Sequence, residues 1–323
     1  MHRRTALALL ATTPLATAVR AQEKYPSRPI TLVVAYTPGG GTDAVARVLA
    51  ARLGQVLGGQ IIVDNKPGAG SNLATEMVAR ARPDGYTLLV GNQGPMVVNP
   101  HLFPSMPADP ETTLDPIALI ADTTLVVVVG PRLPGVKTLA ALIEDGRKRP
   151  GALTYASASN ASASHLAAAL LCEVAGVSAR HVPYRGAAPA LNDVVGGHVD
   201  FMITTVPSAT GLIEGGKLTA LAVTGQQRAA LLPSVPTALE AGVIGYTASA
   251  WYGLLAPKGL PPDILARLES ATAESLGDAQ VQTRLKADGA SPIAMGSAAF
   301  GAFMKRERAR WGEVVRKARI TVD

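Results

Sequence analysis

The sequence contains a single cysteine and few aromatic or charged residues. Aromatic residues make up 4% of its 323 residues and charged residues 17%, below the charged share of about 25% that is typical of globular proteins. One cysteine excludes a disulfide framework and a zinc site built from cysteines. Hydrophobic residues make up 48%, which excludes extended disorder. At about 100–200 residues per domain, the length predicts two domains or one large one.

The motifs of several enzyme classes are also absent. The glycines at 39–41 and 68–70 do not match the G-x-G-x-x-G pattern of dinucleotide-binding proteins, and there is no P-loop. The five histidines show neither H-x-x-x-H nor H-E-x-x-H spacing, so no transition-metal site is expected. Ser162 or Ser164 beside His165 suggests a nucleophilic dyad, but no G-x-S-x-G elbow surrounds it. We therefore predict no catalytic residue, metal or cofactor, and keep a serine hydrolase as the alternative.

The first 21 residues have the three parts of a secretory signal peptide. Arg3 and Arg4 form a basic start, residues 5–18 are mostly apolar, and small residues precede a cleavage site after Ala21. Cleavage would also remove Arg20 and lower the net charge from +6 to +3. No cysteine lies near the cleavage site, and no later stretch is long and apolar enough to span a bilayer. We expect a soluble protein that lies outside the cytoplasm and has no lipid anchor.

Apolar runs alternate with glycine turns and amphipathic stretches along the rest of the chain. The run at 30–35 is followed by a glycine turn and a helix to residue 57, with Thr42 or Asp43 expected as its N-cap. This alternation predicts an α/β fold whose sheet is mostly parallel, with helices on its faces. Strands are predicted at 30–35, 60–64, 86–90, 125–129, 153–157, 180–184, 199–203, 218–223 and 251–255, and helices at 42–57, 71–80, 137–149, 165–175, 187–195, 262–276 and 297–318.

The predicted strands divide into two Rossmann-like α/β units. The boundaries lie near residue 125, where a valine run begins, and near residue 250. The last segment has too few strands to stand alone, so it should return to the first unit. The predicted organisation is a signal peptide (1–21), domain I (22–125 plus 250–323) and domain II (126–249).

Small polar residues and glycine follow several of the predicted strands. In open α/β sheets, ligands bind at the carboxyl ends of strands, where helix N-termini present free N–H groups. Such loops can hold a carboxylate with backbone and hydroxyl donors and without a buried arginine. The candidate ligand-binding residues are Tyr36, Thr37, Gly40, Gly41, Thr42, Asp43, Asn92, Gln93, Ser157, Ser159, Asn160, Ser162, Ser164, Tyr184, Gly186, Ala187, Thr204 and Thr205.

The basic residues concentrate in the last predicted helix, at 297–318. The few aromatic residues are not interleaved with them as in a stacking platform for nucleic acid. This pattern is typical of a solvated helix face, and its alternative is a docking patch for a partner. We predict no nucleic-acid partner.

The loops and several other motifs resemble the Bug-type solute receptors of tripartite tricarboxylate transporters. The resemblance covers nearly all of the chain after the predicted signal peptide, in order. The matching segments are 25–30 (YPSRPI), 33–40 (VVAYTPGG), 43–47 (DAVAR), 63–70 (VDNKPGAG), 83–89 (PDGYTLL), 165–166 (HL), 181–186 (HVPYRG), 221–224 (LAVT), 233–242 (PSVPTALEAG) and 251–257 (WYGLLAP).

The resemblance implies a periplasmic binding protein of two α/β domains with the ligand cleft between them. A small carboxylate is the implied ligand, lying against loop 36–43, with 157–164, 184–187 and 204–205 on the opposite side. Our hypothesis is capture by hinge closure at the two chain crossings near residues 125 and 250. The closed receptor, expected to be a monomer, would then dock on membrane transporter subunits. A receptor that signals to a membrane sensor is a further alternative.

Three departures from the family pattern affect the expected choice of ligand. Ala35 and Tyr36 stand where Pro-Phe is more usual, and serines at 159–162 replace a glycine-rich stretch. Arg185 stands where lysine is more usual. The Tyr36 hydroxyl and the serines add polar groups to the expected site, so the ligand can differ from that of other members.

Overall fold

The computed structural model describes residues 25–103, 105–317 and 320. The predicted signal peptide, with its cleavage after Ala21, lies outside the described residues. Within them, no helix is both long enough and apolar enough to cross a membrane.

Ten strands and eleven α-helices are present in the described residues. The strands are β1 (Ile30–Val34), β2 (Ile61–Asn65), β3 (Thr87–Asn92), β4 (Leu114–Val129), β5 (Leu153–Ser157), β6 (Ala179–Pro183), β7 (Phe201–Thr205), β8 (Thr219–Val223), β9 (Ser249–Pro257) and β10 (Ala290–Gly296). The helices are α1 (Gly41–Leu57), α2 (Asn72–Ala79), α3 (Asn99–Leu102), α4 (Pro110–Thr113), α5 (Leu139–Lys148), α6 (Ala163–Ala175), α7 (Ala187–Val195), α8 (Val206–Glu214), α9 (Pro262–Gly277), α10 (Ala279–Ala287) and α11 (Ser297–Lys317).

The ten strands form one sheet in the order β2-β1-β3-β9-β4-β7-β5-β6, with β8 and β10 also paired to β4. The prediction of a mostly parallel sheet was wrong. β1 pairs in parallel with β2 and β3, and β5 with β6 and β7, but every pairing of β4 and β9 is antiparallel. Each βαβ unit therefore keeps its parallel strands, and the strands that join the units run against them.

Strand β4 is much longer than the predicted strand at 125–129. Its first part, 114–124, pairs with β9 and β10, whereas 125–129 pairs with β7 and β8. Asp115, Pro116 and Asp122 interrupt the hydrophobic pattern of the first part. Strand periodicity was therefore visible only in the valine run.

The chain after β9 packs on the unit formed by β1, β2 and β3. β9 lies between β3 and β4, α9 and α10 pack on α1, and α11 packs on β4 and on a π-helical turn at Gly94–Val98. Helices α8 and α10 and strand β10 were not predicted. In α10 the apolar periodicity is carried by little more than Val281 and Leu285, and β10 contains Pro292.

Helix α1 begins as the glycine turn predicts but is capped differently. The sequence spaces Val45, Val48, Leu49, Leu53 and Leu57 by three and four residues, which predicts one apolar face. All of them are buried except Val48, which is half-buried. The N-cap of α1 is Gly40, which forms no side-chain cap hydrogen bond, so the expectation that Thr42 or Asp43 would cap it was wrong. Both residues lie in the first turn, where Asp43 is bound to other partners.

Cys172 of α6 is half-buried against the core. Burial raises the pKa of its thiol to about 12. The thiolate that makes a cysteine reactive is therefore scarce at neutral pH.

Candidate functional site

The loops after β1, β5, β6 and β7 meet around a cavity of about 50 Å³, here called the central cavity. It lies where the two halves of β4 meet and where α1, α6, α7 and α8 begin. None of its lining side chains carries a formal charge. The lining residues are Tyr36, Thr37, Gly40, Gly41, Thr42, Asn92, Leu125, Ala158, Ser162, Ala163, Ser164, Ala187, Thr204, Thr205, Ser208, Ala250 and Tyr252.

The N-terminus of α1 is the main electrostatic feature of this cavity. With Gly40 as an extended N-cap and no capping side chain, the backbone N–H groups of the first turn have no partner within the helix. The helix dipole adds partial positive charge at the same place. A Cβ built on Gly41 would lie 2.6 Å from Tyr252 Oη and 2.9 Å from Thr205 Cγ2, so only glycine leaves this end of the helix open.

Asp43 holds the glycine turn in place from outside the cavity. Its Oδ2 accepts from Gly39 N at 3.0 Å and from Arg47 Nε at 2.9 Å, and its Oδ1 accepts from Asn65 Nδ2 at 3.0 Å. Burial alone would raise the pKa of Asp43, but the bonds from Arg47, Gly39 and Asn65 outweigh it and keep the pKa below its usual value. The Asp43 carboxylate therefore positions the loop, and both of its oxygens are engaged by protein donors.

The serine loop before α6 is held by its own hydroxyls. Ser162 is the N-cap of α6, and its Oγ accepts from His165 N at 3.4 Å and donates to Ser159 O at 2.7 Å. Ser164 Oγ accepts from Ala158 N at 2.9 Å. These bonds fix the loop with Ala161 at a φ of 56°, a backbone conformation that is uncommon for residues other than glycine.

His165 is arranged as a structural residue. Its Nδ1 accepts a hydrogen bond from Ala161 N at 3.0 Å, and its ring stacks on His181 with 3.7 Å between centroids. Burial lowers the pKa of His165 to about 3, with a further contribution from His181. Within the described residues, no hydroxyl of Ser162 or Ser164 bonds to the His165 ring, so the predicted dyad is not assembled.

A chain of polar contacts crosses the floor of the cavity. Tyr36 Oη donates to Asn92 Oδ1 at 3.0 Å, and Asn92 Nδ2 donates to Thr42 Oγ1 at 3.4 Å. Thr205 Oγ1 and Ser208 Oγ lie 2.7 Å apart. The buried Thr204 hydroxyl also lines the cavity and has no hydrogen-bond partner among the described residues.

The structure brings most of the predicted site residues to the central cavity or beside it. Four predicted residues do not line the central cavity or the side cavity described next: Gln93, Ser157, Asp43 and Gly186. Asp43 instead holds the glycine turn, and Gly186 packs against Thr37. Three others, Ser159, Asn160 and Tyr184, line an adjoining side cavity of about 190 Å³ that shares Tyr36 and Ala158 with the central one. Those lining the central cavity are Tyr36, Thr37, Gly40, Gly41, Thr42, Asn92, Ser162, Ser164, Ala187, Thr204 and Thr205.

Sequence reasoning missed Tyr252, Ser208 and the apolar wall residues Leu125 and Ala250. Ser208 lies in α8, which the sequence did not predict. Tyr252 lies in a strand whose residues 250–257 are all buried, so alternation gave no sign of which side chains face the cavity.

A larger cavity, of about 590 Å³, lies between α11, α4 and β4. Of its three cationic groups, Lys258 pairs with Asp115 and Arg308 pairs with Asp109 and Glu111, whereas Lys305 lies exposed at the surface. The smaller central cavity is the better candidate because a helix N-terminus and several hydroxyl groups converge on it.

Comparison with known proteins identifies the family. The profile of the family described as tripartite tricarboxylate transporter family receptor matches residues 45–320. The periplasmic binding protein BugD is 35% identical, with a TM-score of 0.86 over 92% of this chain and 99% of BugD. Rpa4515 of R. palustris, solved with adipate, is 36% identical, with a TM-score of 0.88 over 92% of this chain and 99% of its own.

A third structure of the same kind carries a different carboxylate. MatC of Rhodopseudomonas palustris, solved with bound malate, is 34% identical, with a TM-score of 0.84 over 90% of this chain and 100% of its own. These likenesses confirm both the predicted family and the predicted architecture of two α/β domains. The chain belongs to the tripartite tricarboxylate transporter family of receptors, as a Bug-type periplasmic solute-binding protein.

Proposed function

We propose that this receptor encloses a small carboxylate in the central cavity and delivers it to a tripartite tricarboxylate-type membrane transporter. The observation that carries the proposal is the open N-terminus of α1, which faces a cavity of neutral donors. A carboxylate is costly to bury unless its oxygens find donors. Backbone N–H groups and hydroxyls supply them here.

The size of the cavity supports a ligand with a carboxylate head and a short chain. A water needs about 10–15 Å³ of such space, so about 50 Å³ accommodates a carboxylate head and little more. The remainder of the ligand would extend past Tyr36 into the side cavity of about 190 Å³. The adipate and malate bound by two of its relatives are of this shape.

The proposed domains are 22–125 plus 250–323 and 126–249. The change of pairing partners along β4 at residue 125 supports this division, as does the packing of the segment after β9 on the first unit. Ligand would enter when the domains separate and would stabilise the closed state.

We expect adipate, malate or another short-chain carboxylate to raise the melting temperature. At a concentration of about 100 times Kd, binding adds about 2.7 kcal/mol to stability, which corresponds to a rise of roughly 4 °C for a protein of this size. A thermal-shift screen of two- to six-carbon mono-, di- and tricarboxylates measures it. The dimethyl ester of each active diacid is the control, since it cannot present a carboxylate. Equal shifts with acid and ester, or no shift with any acid, would contradict the proposal.

Binding without catalysis is the role that the contacts favour. The hydrolase alternative needs a serine activated by a base, but Ser162 and Ser164 cap and brace their loop, and His165 Nδ1 is occupied by Ala161 N. We also propose that the receptor acts as a monomer.

Delivery to a transporter and signalling to a sensor predict different effects of gene deletion. If the receptor feeds a transporter, cells lacking it should lose high-affinity uptake of the radiolabelled carboxylate found in the screen. Uptake of an unrelated amino acid is the control. Retained uptake, with loss of carboxylate-induced gene expression, would support the sensor alternative and overturn delivery.

A further inference from the structure

Tyr252 extends from β9 into the central cavity. Tyr252 is almost completely buried, with 1% exposure. In the sheet it lies opposite Asn92 of β3. The ring reaches the first residue of α1: a Cβ built on Gly41 would lie 2.6 Å from Tyr252 Oη. The hydroxyl therefore lies beside the N–H groups that open the helix.

The Tyr252 hydroxyl has no hydrogen-bond partner among the described residues. By contrast, Tyr36 Oη donates to Asn92, and Tyr246 Oη donates to Ala167 O at 3.0 Å. Because Tyr252 lines the central cavity, its hydroxyl faces the space that a ligand would occupy. A hydroxyl in this position is free to donate to a ligand oxygen.

We propose that Tyr252 donates a hydrogen bond to the carboxylate held at the N-terminus of α1. This inference rests on the proposed function and extends it to a residue from the strand that joins the two units. Helix and tyrosine together supply donors from two directions, so a carboxylate satisfies both of its oxygens without a cationic side chain.

The surroundings of Tyr252 keep it a donor. Burial raises its pKa above the ordinary phenol value, and the nearby Tyr36 and Asp122 raise it further. The hydroxyl is therefore protonated across the pH range in which the receptor would work. The protonated hydroxyl can donate a hydrogen bond to an anion, whereas a negatively charged phenolate would repel the anion.

The experiment is isothermal titration of adipate and malate into wild-type protein and Tyr252→Phe. Hydrogen bonds to charged groups are among the stronger ones, so Tyr252→Phe should weaken the binding of the carboxylate about tenfold or more. Its unfolding in urea without ligand should match that of wild type, because no intramolecular bond is lost. Tyr246→Phe is the matched control: it removes a paired buried hydroxyl, so it should lower stability without ligand and leave affinity unchanged.

Three outcomes separate this inference from the function on which it rests. If wild type binds a carboxylate and Tyr252→Phe binds it equally well, Tyr252 is not a ligand contact while the receptor function stands. If Tyr252→Phe loses affinity and stability together, the role is structural and the inference is overturned. If wild type binds none of the carboxylates in the screen, the proposed function and this inference fail together.

Discussion

Replacing Gly41 by valine should weaken carboxylate binding at least about a hundredfold, or about 2.7 kcal/mol. Even a Cβ at this position would lie 2.6 Å from Tyr252 Oη and 2.9 Å from Thr205 Cγ2, and valine adds two methyl groups. The cavity is only about 50 Å³. The substituted side chain therefore occupies the space of the carboxylate head and holds Thr205 away from α1.

Titration calorimetry with the carboxylate found in the screen measures this effect. Gly211→Val in α8 is the matched control, since Gly211 is also helical and a Cβ there meets nothing within 4 Å. Urea unfolding of both variants checks that they are folded. Wild-type affinity in Gly41→Val would mean that the ligand binds elsewhere.

Lowering the pH from 7 to 4.5 should destabilise the folded protein by about 3–5 kcal/mol through His165 and His181. Burial lowers the pKa of His165 to about 3 and that of His181 to about 4, and His181 lowers that of His165 further. In the unfolded chain both rings take up protons near pH 6.5, whereas the folded protein keeps them neutral until about pH 4. The unfolded state thus binds more protons, so stability falls as the pH decreases through this window.

Urea unfolding at half-unit pH steps tests this dependence. His181→Gln keeps a side chain that can contact Ser157, which lies 2.6 Å from His181 Nε2, and it removes one titrating ring. It should reduce the loss between pH 6.5 and 4.5 by roughly half. His198→Gln, at an exposed position, is the control and should retain the wild-type slope. Identical slopes in wild type and His181→Gln would refute the explanation.

The sequence predicted the fold correctly where the local residue pattern and the packing in the folded protein favour the same element. In α1, the glycine turn, the apolar spacing and the neighbouring strands all indicated one helix, and its buried face was predicted correctly. In α5, which matches the helix predicted at 137–149, Thr138 is the N-cap and its hydroxyl accepts from Ala141 N. The cap of α1 was mispredicted because Asp43 is bound by Arg47 and Asn65, and Asn65 arrives from another strand.

The candidate site could be predicted only as far as the loops that follow parallel strands. The glycine and serine loops correctly indicated which ends of the strands form the candidate binding site. Tyr252 reaches the same site from β9, an antiparallel strand about 200 residues after Gly41 in the sequence. No local sequence pattern therefore links the two residues. The length of β4 was hidden for a similar reason, since residues 114–124 acquire their strand partners from β9 and β10.

The continuity of β4 has a mechanical consequence. Strand β4 runs through both halves of the sheet. Residues 114–124 are hydrogen-bonded to β9 in one half, and residues 125–129 are hydrogen-bonded to β7 in the other. A strand behaves as a stiff ribbon that twists and bends over several residues, unlike a flexible linker. Each part keeps its own partner strands, β9 and β10 for 114–124 and β7 and β8 for 125–129, so the backbone of β4 is a direct covalent link between the two sets of strands. Separation of the two proposed domains should therefore involve bending or twisting of β4 near residue 125.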